Sequence, residues 1–224
     1  TRYDQDELAL ISHQRASAAI QKGSFKDQIV DVPTIQENGM GIDVNIDEGP
    51  RRDSNMERLA ELPAVFKKDG VVTAGNSSTL NDGAAAVVIM NTKRAEQLGL
   101  KPKLKWCGRG VAGVDPAVMG TGPVPAVRKV LSKLLLPLDE IDLVELNEAF
   151  ASQALYCIRE LGLDTEITNV NGSGISLGHP IGATGAIMTV KLMAELEERE
   201  QRFGMVAMCV GGGQGVATIF ERMN

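Results

Sequence analysis

With 224 residues, 43% of them hydrophobic, the chain is long enough to bury a substantial core as one or two domains. A formal net charge of −6 without a basic cluster excludes nucleic acid as a natural partner. Two histidines and three scattered cysteines (Cys107, Cys157, Cys209) exclude a histidine metal cluster, a thiolate zinc site and a disulfide framework. No apolar run is long enough to span a bilayer and no secretory signal is present, so the expected setting is the reducing cytoplasm.

In chain order, a helix is predicted over residues 5–22, with Leu8, Ile11, Ala16, Ala19 and Ile20 along one face. The chain starts at Thr1, not methionine, and enters this helix almost at once, so it is expected to be cut from something longer. Residues 31–53 are rich in Pro, Gly and Asp, and a short helical pattern follows at 56–62. Residues 70–82 read as a strand running into a polar loop, 84–90 as an apolar strand, and 92–98 as a short helix stopped by Gly99. From residue 101 strands and helices alternate: a strand at 103–114, a helix at 123–136, a strand at 141–146, a helix at 148–161 ending at Gly162, and a helix at 183–198. Two strands at 205–210 and 216–220, joined by a glycine turn, should form an antiparallel pair. This is an α/β pattern, a mixed sheet covered by helices on both faces.

Two stretches put a reactive side chain inside a run of glycines: 169–185 around His179, and 209–215 around Cys209. Glycines clear side chains away and let backbone N–H groups reach a ligand. Pro180 biases His179 toward an extended backbone, and the free N–H groups of the following helix suit a phosphate, a thioester oxygen or an oxyanion. A loop histidine satisfied by hydrogen bonds is the plainer alternative. Cys209 ends a strand and precedes three glycines whose N–H groups can form an oxyanion hole, although a strand cysteine also serves as a small hydrophobe. Cys107 and Cys157 are assigned to structure. Asn147, where the strand ends, is either a helix cap or an amide aimed at a ligand. Residues 76–83 are a ligand-binding loop or an ordinary turn, and Arg51 with Arg52 face a phosphate or solvent. Neither dinucleotide nor P-loop spacing occurs among the glycines.

Asn147–Glu148–Ala149–Phe150–Ala151, Gly178–His179–Pro180, and Cys209-x-Gly211–Gly212–Gly213-x-Gly215 resemble, in order and interval, the motifs of the thiolase family of acyl-CoA acetyltransferases. Residues 75–85 resemble that family's loop over the pantetheine, and the likeness covers essentially the whole chain. It implies the family's layered αβαβα fold, with residues 1–80 as part of a loop domain, 81–101 as the last strand and helix of the N-terminal half, and 102–224 as the complete C-terminal domain. It implies His179 as the base that activates a nucleophilic cysteine and polarises the thioester, and Cys209 as the acid/base at the α-carbon of acetyl-CoA. Asn147 would hold a water that, with His179, stabilises the enolate, and the Gly211 N–H would serve an oxyanion hole. A thiolate at Cys209, beside helix and turn N–H groups, suits such a base. Ser78, Ala74, Arg51, Phe66, Ala149 and Phe150 would contact coenzyme A, a substrate and not a tightly bound cofactor.

The family's acylated cysteine has no counterpart here. The chain is therefore expected to act only with an N-terminal segment or second chain, as a homo- or hetero-oligomer, with acyl-CoA and CoA as ligands. Alone it is expected to expose a sheet edge and apolar faces. Ser173 replaces a frequent glycine and Ile187 a frequent arginine. A CoA-binding or assembly subunit without turnover is the alternative. A decarboxylating condensing enzyme fits less well, because the second histidine, His13, is expected on a surface-type helix.

Overall fold

The structure, a computed structural model, describes residues 1–223. Helix α1 (Arg2–Lys22) starts at a capping box in which the Thr1 hydroxyl accepts the Asp4 N–H, and it ends at the left-handed Gly23. Strands β1 (Val32–Ile35) and β2 (Gly41–Val44) form an antiparallel hairpin that composition alone left irregular, and all eight residues are exposed. Helix α2 (Met56–Glu61) is capped by Asn55, and α3 (Thr92–Gln97) by Asn91.

Between α2 and α3 the sequence reading fails. Residues 70–82 form a 3₁₀ turn (Ala74–Asn76) and loops, and the apolar run 84–90 has no regular structure and is exposed throughout. A strand needs a neighbour to take up its N–H and C=O groups, and no described strand pairs with this run.

The remaining elements are β3 (Leu104–Gly113), α4 (Pro123–Leu134), β4 (Leu143–Leu146), α5 (Ala151–Leu161), α6 (Gly174–Leu177), α7 (Thr184–Glu198), β5 (Phe203–Val210) and β6 (Gln214–Arg222). The sheet runs β3-β6-β5-β4, with β4 and β5 parallel and the other pairs antiparallel. Alternation along β5 divides the core. Met205 and Ala207 join Val127, Val130, Leu146 and Ile219 beneath α4 and α5, whereas Val206 joins Leu143, Leu192 and Leu196 beneath α7. At Gly215 a β-carbon would overlap the Gly122 carbonyl oxygen, so only glycine lets the start of α4 press against β6.

Helix α1 packs outside, on α5 and α6, and it is not a surface-type helix on that side. His13 is 5% exposed, and its Nδ1 accepts the Arg51 N–H at 3.1 Å. The face that reads as polar in sequence is buried through side-chain hydrogen bonds.

Candidate active site

The parallel strands β4 and β5 end side by side, and ligands gather at such ends in α/β sheets. Asn147 extends β4 by one residue, its N–H donating to the Ala207 carbonyl at 2.9 Å. It is not the helix cap that the sequence allows: α5 starts at Ala151, and Phe150 holds the cap position. The Asn147 side chain is fully buried, its Oδ1 has no hydrogen-bond partner among the described residues, and its Nδ2 lies 3.4 Å from each ring nitrogen of His179.

His179 is held from two further sides. Its N–H donates to Asn81 Oδ1 at 3.3 Å, and its Nδ1 lies 2.7 Å from Thr184 Oγ1 at the start of α7. Burial depresses the imidazole pKa below its ordinary 6.5, so the ring is neutral at pH 7. A neutral ring keeps one basic nitrogen.

Cys209 is 8% exposed near the end of β5, opposite Gly215. Burial pushes its thiol above the ordinary value, and a backbone hydrogen bond offsets only part of that. The resting group at neutral pH is therefore the thiol. The turn that follows uses left-handed glycines, Gly212 and Gly213 both at φ 86°, and Gly213 accepts the Val114 N–H at 2.7 Å. Apart from its chain neighbours, no described residue lies within 4 Å of where a β-carbon of Gly211 would stand, so that side of its backbone is open. The first turn of α7 lies beside Met208, since a β-carbon at Gly185 would be 3.3 Å from the Met208 methyl. Asn147 and His179 are thus in contact, and Cys209 lies on the adjacent strand, two residues beyond Ala207, which accepts the Asn147 N–H. Cys107 is half-buried on β3, and Cys157 is fully buried with its thiol pushed up to about 12.

Four of the six residues expected to bind coenzyme A form one wall. The Ser78 N–H donates to the Ala149 carbonyl at 3.0 Å, Ser77 bridges to Phe150, and the Phe66 ring meets Phe150 edge-on at 5.9 Å. Ala74 is exposed on the 3₁₀ turn upstream of Ser78, and that turn is anchored to α1 through Asn76 Nδ2 and Asp6 Oδ1 at 2.9 Å. Arg51 is held through its backbone, its N–H donating to His13 Nδ1 and its carbonyl accepting the Ser54 N–H at 3.2 Å, with its side chain exposed.

Several residues around the site escaped the sequence reading. Buried Glu148 accepts the Ser12 hydroxyl at 2.6 Å and the Asn169 amide at 3.0 Å, which ties α1 to the end of β4. Ser12 also meets Ser176 at 2.8 Å, and Ser173, the residue at a frequent glycine position, donates to the Leu146 carbonyl at 3.1 Å. Buried Lys191 pairs with Glu145 at 2.8 Å and donates to the Gly172 carbonyl at 2.6 Å, fixing the turn before α6. One signal was available: an acid inside the apolar strand 141–146 requires a cation from elsewhere.

A family model described as "Thiolase, C-terminal domain" matches residues 100–222, and one described as "Thiolase, N-terminal domain" matches residues 1–93. Beta-ketothiolase BktB of Cupriavidus necator is 52% identical over 225 residues, covering 100% of this chain and 57% of its own length. A crystal structure of the Bacillus anthracis acetyl-CoA acetyltransferase superposes with a TM-score of 0.97 at 51% identity, covering 100% of this chain and 56% of that one. The human mitochondrial 3-ketoacyl-CoA thiolase gives 0.96 at 42% identity, with the same coverage. The chain spans little more than half the length of these relatives.

Proposed function

The chain belongs to the thiolase family, and from that premise we propose that it supplies the acid–base side of an acyl-CoA:acetyl-CoA C-acyltransferase. The reaction is thiolysis of a 3-ketoacyl-CoA or, in reverse, condensation of acetyl-CoA with an acyl-enzyme. The observation that carries this reading is the Asn147–His179 contact where β4 ends, with Cys209 near the end of the neighbouring parallel strand β5. None of the three cysteines matches the acylated one, so that group comes from polypeptide outside these 224 residues.

In the condensing direction Cys209, as thiolate, takes a proton from the α-carbon of acetyl-CoA. The resulting carbanion attacks the acyl thioester, the new C–C bond forms, and the nucleophilic cysteine leaves as thiolate. His179, carrying on Nε2 the proton it takes from the nucleophilic cysteine, stabilises the enolate oxygen with Asn147 and a water, and the Gly211 N–H serves the oxyanion of the acyl transfer. In thiolysis the proton moves the other way, and the buried Cys209 thiol is already in the donating form. Coenzyme A lies along Ser78, Ala149, Phe150 and Phe66, with Ala74 and Arg51 further along it.

The same reading takes residues 1–80 as part of a loop domain, 81–101 as the end of an N-terminal half and 102–224 as the C-terminal domain. It places the enzyme in the cytoplasm, as an oligomer acting in fatty acid metabolism, with no tightly bound cofactor. No described helix is long and apolar enough to cross a membrane.

Acetoacetyl-CoA thiolysis tests it. The 224-residue chain alone is expected to be inactive and to gain activity with the residues its relatives carry beyond the aligned region. In that assembly Cys209→Ala lowers turnover by about 10²-fold or more, and wild-type turnover in this variant would sink its role. Tight CoA binding by the chain alone, with no activity in any assembly, would favour a binding or assembly subunit.

A further inference from the structure

His179 can serve as a base only through a ring nitrogen that carries no proton, and the structure indicates what decides which nitrogen that is. The Thr184 hydroxyl has a single proton. It lies 3.0 Å from the carbonyl of Pro180, four residues earlier, in the back-bonding geometry common for threonine at a helix start. With its proton given to Pro180, the oxygen presents a lone pair to His179 Nδ1 at 2.7 Å. Thr184 is 4% exposed on the first turn of a 15-residue helix, so water does not compete freely for that lone pair.

We propose that Thr184 is a positioning residue that keeps the proton of His179 on Nδ1 and leaves Nε2 bare for proton transfer. The proposal rests on the reading of His179 as the site's base. It adds a residue that pattern alone treated as the second position of a helix. The chain carries its own contrast. His13 Nδ1 accepts the Arg51 N–H, so the neutral ring of His13 holds its proton on Nε2. The two histidines of this chain therefore hold opposite tautomers.

Long-range ¹H–¹⁵N correlation spectra of the intact 224-residue chain near pH 7.5 read both rings directly, without any turnover. The expected wild-type spectrum shows one ring protonated on Nδ1 and the other on Nε2, assigned by His13→Gln. Thr184→Val, equal in shape but without the hydroxyl, should lose the Nδ1-protonated pattern, and Thr184→Ser should restore it. In both variants the His13 signals should stay in place. An Nε2-protonated His179 in the wild type, or an unchanged tautomer in Thr184→Val, overturns the proposal. Should Thr184→Val also displace the His13 signals, it has lost the fold, and the wild-type and Thr184→Ser tautomers decide alone. Failure of the functional reading looks different: the tautomers stand as stated while no assembly turns over acetoacetyl-CoA.

Discussion

The runs AAAVVIM at 84–90 and MVAMCV at 205–210 are nearly interchangeable as sequences, yet they end in opposite states. The second is the greater part of β5, bonded on both sides, with Met205 and Ala207 at 0% and 1% exposure. The first leaves Val88 and Ile89 at 87% and 85% exposure with no ladder. Length, apolarity and β-branching make a segment able to be a strand. A neighbouring strand makes it one.

Substitutions along the two regions should therefore differ in proportion to their neighbours. Gly215→Val forces a side chain into the Gly122 backbone, so we expect a loss of more than about 4 kcal/mol, or no cooperative unfolding at all, in urea titration. Leu196→Ala empties a fully buried position beneath α7 and should cost about 2–5 kcal/mol in the same titration. Val88→Thr should change the midpoint by less than about 0.5 kcal/mol, because that side chain is already in water. A cost at Val88 matching that at Leu196 would mean that run 84–90 is covered in solution and would erase the contrast.

A subtler difference should appear with pH. His13 and His179 both have folded pKa values below the ordinary 6.5, in each case chiefly through burial. Between the folded and unfolded values the unfolded chain holds more protons than the native one. Their contribution to stability is thus complete above about pH 6.5 and declines as the pH falls below it. Buried Glu145 and Glu148, with raised values, impose the opposite slope above about pH 4.5. The difference between wild type and His13→Gln isolates the histidine: the wild-type curve should fall more steeply below pH 6.5, and parallel curves would remove His13 from the account.

The site was legible where its chemistry sits in a local pattern. His179 and Cys209 stand out because glycines frame them, and Asn147 because it follows a strand, although its role as a cap did not hold. Ser12 and Lys191 gave no such sign. Each is an ordinary polar residue until a partner far along the chain meets it, 136 positions away for Ser12 and Glu148. The protonation of Cys209 was not legible for the same reason. The nearby N–H groups can be counted in the sequence, but the burial that outweighs them cannot.

By itself the sequence determined what depends on near neighbours: the helices with their caps and glycine stops, the β5–β6 pair joined by a tight turn, and the positions of its reactive side chains. The tertiary structure decided which apolar runs became strands and which polar residues were buried. Those outcomes depend on desolvation and on hydrogen-bond partners, and both come from distant parts of the chain.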